Sequence, residues 1–149
     1  MAKSLSFLLA VLIVMPAAAI ARDEIDGPVA AEILRVVDGD TLLVEARPWP
    51  QQKIEVYVRI RGIDAPEMHS KCANIRRAGV DARHALEELT GASPQISLTQ
   101  ISGDKYFGRI LADVTLKDGS NPAQDLLNEG IVRAYDGGRK AETPCRDAE

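Results

Sequence analysis

The sequence predicts a small α+β domain built on a five-stranded barrel. Three observations lead there. Five short runs with strand character are separated by Gly, Asp and Pro turns. The hydrophobic period switches from two to 3.6 after the third run and again after the fifth. The chain has 149 residues, enough for one domain and hardly two.

Residues 1–21 stand apart from that domain. Met1-Ala2-Lys3 is positively charged, residues 4–15 are almost entirely apolar, and Pro16 with a run of alanines leads to Ala19-Ile20-Ala21. This order is that of a secretory signal peptide, with cleavage expected after Ala21. An uncleaved anchor is the alternative, but the apolar run is short for a bilayer span. No second stretch approaches ~20 apolar residues, so the mature chain is expected to be soluble, without stable membrane association. Its address would be the periplasm or the medium, and its state a monomer. Residues 22–30 read as a polar leader.

The domain proper is expected over residues 31–138. Residues 31–37 and 41–46 form strands around the turn Asp38-Gly39-Asp40. The third strand covers 53–60, with Ile54, Val56, Val58 and Ile60 on one face and Lys53, Glu55, Tyr57 and Arg59 on the other. Residues 75–89 then change period: Ile75, Gly79, Ala82, Leu86 and Leu89 fall on one helical face. Strands follow over 95–101 and 108–115, joined by a loop at 102–107. Asn121-Pro122-Ala123-Gln124 starts a second helix, with Asn as N-cap, Pro in the first turn and Gln placed to reach back. Gly130 closes it, 131–135 is a short extended piece, and 139–149 is a polar tail. The order fits a small, partly open barrel such as the OB-fold. Alternation alone does not separate it from other small α+β domains.

The charge balance excludes one route to nucleic acid. The chain carries 18 Lys and Arg against 22 Asp and Glu, a formal charge of −4, and loss of Lys3 with the leader would make it −5. A protein that holds polyanions by bulk charge is basic. Nucleic-acid binding here would need a local arginine cluster, or a cation that offsets the carboxylates. The two cysteines, Cys72 and Cys145, both lie in the exported part. One disulfide is expected outside the cytosol, contributing about 4 kcal/mol by loop entropy; two free thiols are the alternative.

Three clusters have chemical potential. Asp38-Gly39-Asp40-Thr41 is either a polar hairpin turn or a turn that aims Asp40 at a hard metal ion. The stretch "RIRGIDAPEMHSKC" at 59–72 sets Arg59, Asp64 and Glu67 close together. Asp64 and the carbonyl of Ala65 could join the metal, Glu67 could hold or deprotonate a water, and Arg59 could fork onto a phosphate. Each of these could equally be half of a surface ion pair, and Arg61 competes with Arg59 for any role. Asp104-Lys105-Tyr106-Phe107-Gly108-Arg109 offers a second phosphate clamp in Arg109, with Lys105 and Tyr106 beside it. His69 and Cys72 admit a zinc reading. The chain offers only His69, His84, Cys72 and Cys145 for it, and structural zinc takes four ligands.

In this order and at these intervals, Asp-Gly-Asp-Thr, Arg-x-Arg-Gly-Ile-Asp-Ala-Pro-Glu and Asp-Lys-Tyr-x-Gly-Arg resemble the staphylococcal nuclease (thermonuclease) family. The resemblance covers about residues 31–138. It implies a Greek-key OB-fold barrel with two or three helices. It also implies a Ca²⁺-dependent phosphodiesterase that cuts DNA and RNA to 3′-phosphates and 5′-hydroxyls. Carried over by motif, Asp40, Asp64 and the Ala65 carbonyl would hold Ca²⁺. Glu67 would orient the water, and Arg59 and Arg109 would clamp the phosphate. Asp38 and Thr41 would support the metal turn from behind, and Lys105, Tyr106 and Tyr135 would contact the strand. The tail Gly137-Gly138-Arg139-Lys140 up to Cys145 resembles a bacterial exported branch in which Cys72 and Cys145 pair. There are two departures. Phe107 lengthens the last motif by one residue, and Ala65 stands where threonine is frequent. The rival expectation is a barrel that kept the fold without the chemistry, as a nucleic-acid or envelope interaction module.

Overall fold

A computed structural model describes residues 23–141 and 143–145. The expected signal peptide at 1–21 lies outside the described residues. Strand β1, Glu24–Ile25, falls inside the leader and pairs with a later strand, so part of the leader joins the sheet. Strand β2, Val29–Asp38, turns at Gly39-Asp40 into β3, Thr41–Arg47. Strand β4, Ile54–Ile60, is followed by the three-residue β5, Gly62–Asp64. Helix α1, Ala73–Thr90, precedes β6, Gln95–Gly103, and β7, Arg109–Leu116. Helix α2, Pro122–Asn128, leads to β8, Arg133–Tyr135.

Five strands close on themselves. The order β6-β2-β3-β4-β7 returns to β6 through the β6–β7 pairing. All contacts in the ring are antiparallel except β4–β7, which is parallel. Closure leaves no open edge in the ring. The fold is therefore an OB-type five-stranded barrel with two helices among the described residues, as expected, and its ring is closed rather than partly open. Its interior is filled by Leu42, Val44, Val58, Ile60, Leu98 and Val114, each almost wholly buried. Leu86 of α1 and Leu126 of α2 join the same core. Burying such a side chain stabilises by about 1.5–3 kcal/mol.

Two local readings are corrected, and Gly39 acquires a reason. The inward face of β4 begins late: Ile54 is exposed, whereas Val58, Arg59 and Ile60 are all buried. Arg59 therefore lies under structure on the face that alternation made polar. Gln124 does not reach back to its cap. The Asn121 side chain accepts from the Ala123 and Gln124 amides, and Gln124 donates to Asn128 instead. Gly39 is required for space rather than for a left-handed φ. A Cβ there would lie 2.6 Å from that of Ala82 and 2.9 Å from that of Ala65. The β2–β3 turn, α1 and the segment after β5 thus meet at one point.

Candidate active site at the barrel end

The turn between β2 and β3 carries Asp40 with its side chain inward, only 4% exposed. Its carboxylate accepts from three donors. Arg59 Nη1 donates to Oδ1 at 2.7 Å, and the Thr41 hydroxyl to the same oxygen at 2.9 Å. The Ala65 amide donates to Oδ2 at 2.8 Å. Asp40's own amide donates to Asp38 Oδ1 at 3.1 Å, holding the turn. Burial raises the Asp38 carboxyl above its usual value and the Asp40 charge adds to this, with the amide bond in opposition.

Arg59 is the hub. Opposite Thr41 in the β3–β4 register, it reaches back to Asp40 with Nη1 and forward to Asp64 Oδ1 with Nη2 at 3.0 Å. Nη2 also donates to the Ile63 carbonyl at 3.1 Å. Burial works against its charge, but the Asp40 and then the Asp64 contacts prevail and hold the guanidinium above its usual pKa. One planar cation therefore binds two carboxylates twenty-four residues apart in sequence, which places Asp40 and Asp64 on either side of it.

Arg61 does not compete. Its guanidinium donates to the Gln100 carbonyl, Ser102 Oγ and the Leu111 carbonyl, and pairs with Asp113 at 3.5 Å. It binds β4's end to the β6–β7 pair. That pair is irregular here: the register shifts between Thr99 and Ser102, and Gln100 has φ 49°.

Arg109 opens β7 beside Tyr57 in the parallel β4–β7 register, two residues before the partner of Arg59. Both arginines line one cavity of about 1020 Å³ with Asp40, Glu67, Lys105 and Tyr135. Arg109 pairs with Asp104 and lies 4.7 Å over the Tyr106 ring, while Lys105 lies 5.0 Å from the same ring. The extra residue Phe107 is fully exposed. Arg109, two residues on, is the first residue of β7.

Glu67 is exposed, in a turn where its side chain accepts from the His69 amide at 3.1 Å. Tyr135 on β8 is brought in by the β5–β8 pairing and lies 5.8 Å from the Arg59 guanidinium. Its hydroxyl donates to the Gly138 carbonyl at 2.8 Å, folding the tail over the site. Lys140 then reaches Asp64 in an ion pair. Sequence reasoning missed Lys140 as a site residue. The available signal was the Gly-Gly-Arg-Lys run between Tyr135 and Cys145. Cys72 and Cys145 form a disulfide across 73 residues, with Cα atoms 5.6 Å apart. This removes the zinc reading, and no group of three or more His, Cys, Asp or Glu side chains able to hold a metal occurs among the described residues. His84 is exposed on α1.

A family model described as staphylococcal nuclease homologue matches residues 57–148, more than half of the chain. The chain belongs to this family. The match begins on β4 and takes in Arg59, the 64–67 segment, Arg109, Tyr135 and the tail, so the staphylococcal nuclease homologue spans most of the site. Asp40 lies on the preceding hairpin, which the barrel brings to the same place. No curated protein matches the chain in sequence. No helix among the described residues is long and apolar enough to cross a membrane.

Proposed function

We propose that this staphylococcal nuclease homologue is an exported, Ca²⁺-dependent phosphodiesterase. It hydrolyses DNA and RNA and leaves 3′-phosphates and 5′-hydroxyls. The observation that carries the proposal is the arrangement around Arg59: two carboxylates, one from the β2–β3 turn and one from the end of β5, converge on one buried guanidinium, and a second arginine lines the same cavity. Export is supported by the charge, apolar run and Ala-x-Ala order of residues 1–21 and by the disulfide, which suits an oxidising compartment.

The donor set fits a hard cation. Asp40 and Asp64 supply carboxylate oxygens and the segment at Ala65 a carbonyl, the ligand chemistry that Ca²⁺ accepts in loose geometry. With only two carboxylates, the ion would keep positions for water and phosphate. When bound, Ca²⁺ would offset charge on the phosphoryl group and on an attacking water. Asp38 and Thr41 hold the Asp40 turn for it.

The chain's own residues have distinct tasks. Arg59 and Arg109 bind phosphoryl oxygens, and their charge counters what accumulates there during in-line attack. Glu67, open to solvent at the cavity edge, holds a water and takes its proton. Lys105, Tyr106 and Tyr135 bind the adjoining sugar, phosphate and base. The acidic balance of the chain makes its affinity local to this arginine pair and salt-sensitive.

Nicking of supercoiled plasmid by the purified mature protein tests this reading. Cleavage is expected in Ca²⁺, to be absent in chelator, and to collapse in Glu67→Gln. No cleavage by the oxidised wild type with any divalent ion would overturn it in favour of a binding module.

A further inference from the structure

The cavity that holds Arg59 and Arg109 does not end at Glu67. A second groove of about 730 Å³ lies beyond the 65–67 segment. The start of α1 forms one wall, through Asn74, Ile75 and Ala78, and the tail forms the other, through Thr143 and Pro144. Ala65, Pro66, Glu67 and Lys140 line both spaces. The two cavities therefore make one track with Glu67 near its middle.

We infer that this groove is a second subsite for a nucleic-acid strand, holding the nucleotide on the far side of the phosphate bound by Arg59 and Arg109. The inference rests on the proposed function and extends it. Three features support it. First, the groove has unspent positive charge. Arg133 lines it and makes no ion pair among the described residues. Lys140 stands at the junction as the second cation on Asp64, which Arg59 already neutralises, so a phosphate arriving there can take it. Second, the walls suit a nucleotide. Ile75, Ala78 and Pro144 offer an apolar surface for a base, and Thr143 a hydroxyl for its edge or sugar. Third, the walls are joined covalently. Cys72 caps α1 and Cys145 follows Pro144, so the disulfide fixes the tail against the helix. A groove held open in this way spares the strand the entropy of ordering it. A continuous strand is favoured over a peptide because the groove opens directly into the phosphate-binding cavity.

The test uses full-length oxidised Glu67→Gln protein in Ca²⁺, with oligothymidylates as probes. A mononucleotide with phosphates at both its 3′ and 5′ positions, thymidine 3′,5′-bisphosphate, measures the first cavity. Two further series extend it by two nucleotides at the 5′ or at the 3′ end, and affinities are read by fluorescence anisotropy. Extension at one end is expected to tighten binding about 10-fold, the scale of one stacked base with a phosphate contact. Adding Arg133→Glu, or separately Ala78→Glu, is expected to abolish that gain and leave the affinity of the bisphosphate unchanged. Replacing both Cys72 and Cys145 by Ser should reduce the same gain in part. If both extensions tighten binding equally in the parent and in both groove variants, or neither tightens it, the subsite is overturned while the nuclease reading stands. If the bisphosphate itself fails to bind, the nuclease reading falls and the subsite with it.

Discussion

The two arginines of the site are held in opposite ways. Arg59 is strand-borne and buried, and both its terminal nitrogens are committed to Asp40, Asp64 and the Ile63 carbonyl. Arg109 is half-buried at the mouth of a loop, with Asp104 on one side and the exposed Tyr106 ring on the other. The barrel therefore fixes one clamp and lets the other adapt. A buried ion pair is costly to break from one side, because the charge left behind has lost its solvent. A pair with more solvent about it is worth less to the fold. The same chemical group should thus affect stability more strongly at one position than at the other, while cleavage depends on both.

The largest effect on stability is expected from Arg59→Met, which strands Asp40 and should cost about 3–5 kcal/mol in chemical denaturation. Restoring the balance with Asp40→Asn in the same chain should recover part of it. No recovery would mean that Arg59 acts mainly by packing. Next comes Gly39→Ala. Its methyl would press on Ala82 and Ala65, and about 1–3 kcal/mol should be lost. Cleavage should fall as well, since the Asp40 turn must shift. Arg109→Gln should cost less in unfolding than Arg59→Met, about 1–2 kcal/mol for a partly buried charged hydrogen bond, and yet slow plasmid nicking by ~100-fold or more. A fall in stability as large as at Arg59 would erase the contrast. The smallest effect lies far from the site. The Ser120 hydroxyl and then its amide hold Asp118 below its usual pKa. Because the folded value is the depressed one, this contribution is present above the ordinary carboxylate range. It is lost as pH falls through the folded value. Ser120→Ala should move the Asp118 titration, followed by NMR, back toward the ordinary value without affecting cleavage.

The strand-borne half was the more legible in sequence. Alternation located the barrel strands to within a few residues, and three spaced motifs marked Asp40, Arg59, Asp64, Glu67 and Arg109 for attention. What alternation could not show was the burial of Arg59. Period two puts it on a polar face, and only barrel closure with the β5–β8 ribbon covers that face. The rivalry between Arg59 and Arg61 was likewise undecidable locally, because Arg61's partners lie about forty to fifty residues away on β6 and β7. Strands β1 and β5 span two and three residues, too few for a period to register. Lys140 belongs to a stretch with no period at all. Its place depends on the Tyr135–Gly138 hydrogen bond and on the disulfide beyond it.

The Cys72–Cys145 bond also sets an order of events during biosynthesis. Every element of the barrel ring precedes α2, so the ring can close while the chain is still growing. The far wall of the track cannot, since Cys145 must first be made and then oxidised. In a reducing cytosol the newly made protein would carry a finished barrel and an untethered wall. On the proposed reading, a hydrolase of nucleic acid would then complete its substrate track only after leaving the compartment that holds the cell's own DNA and RNA.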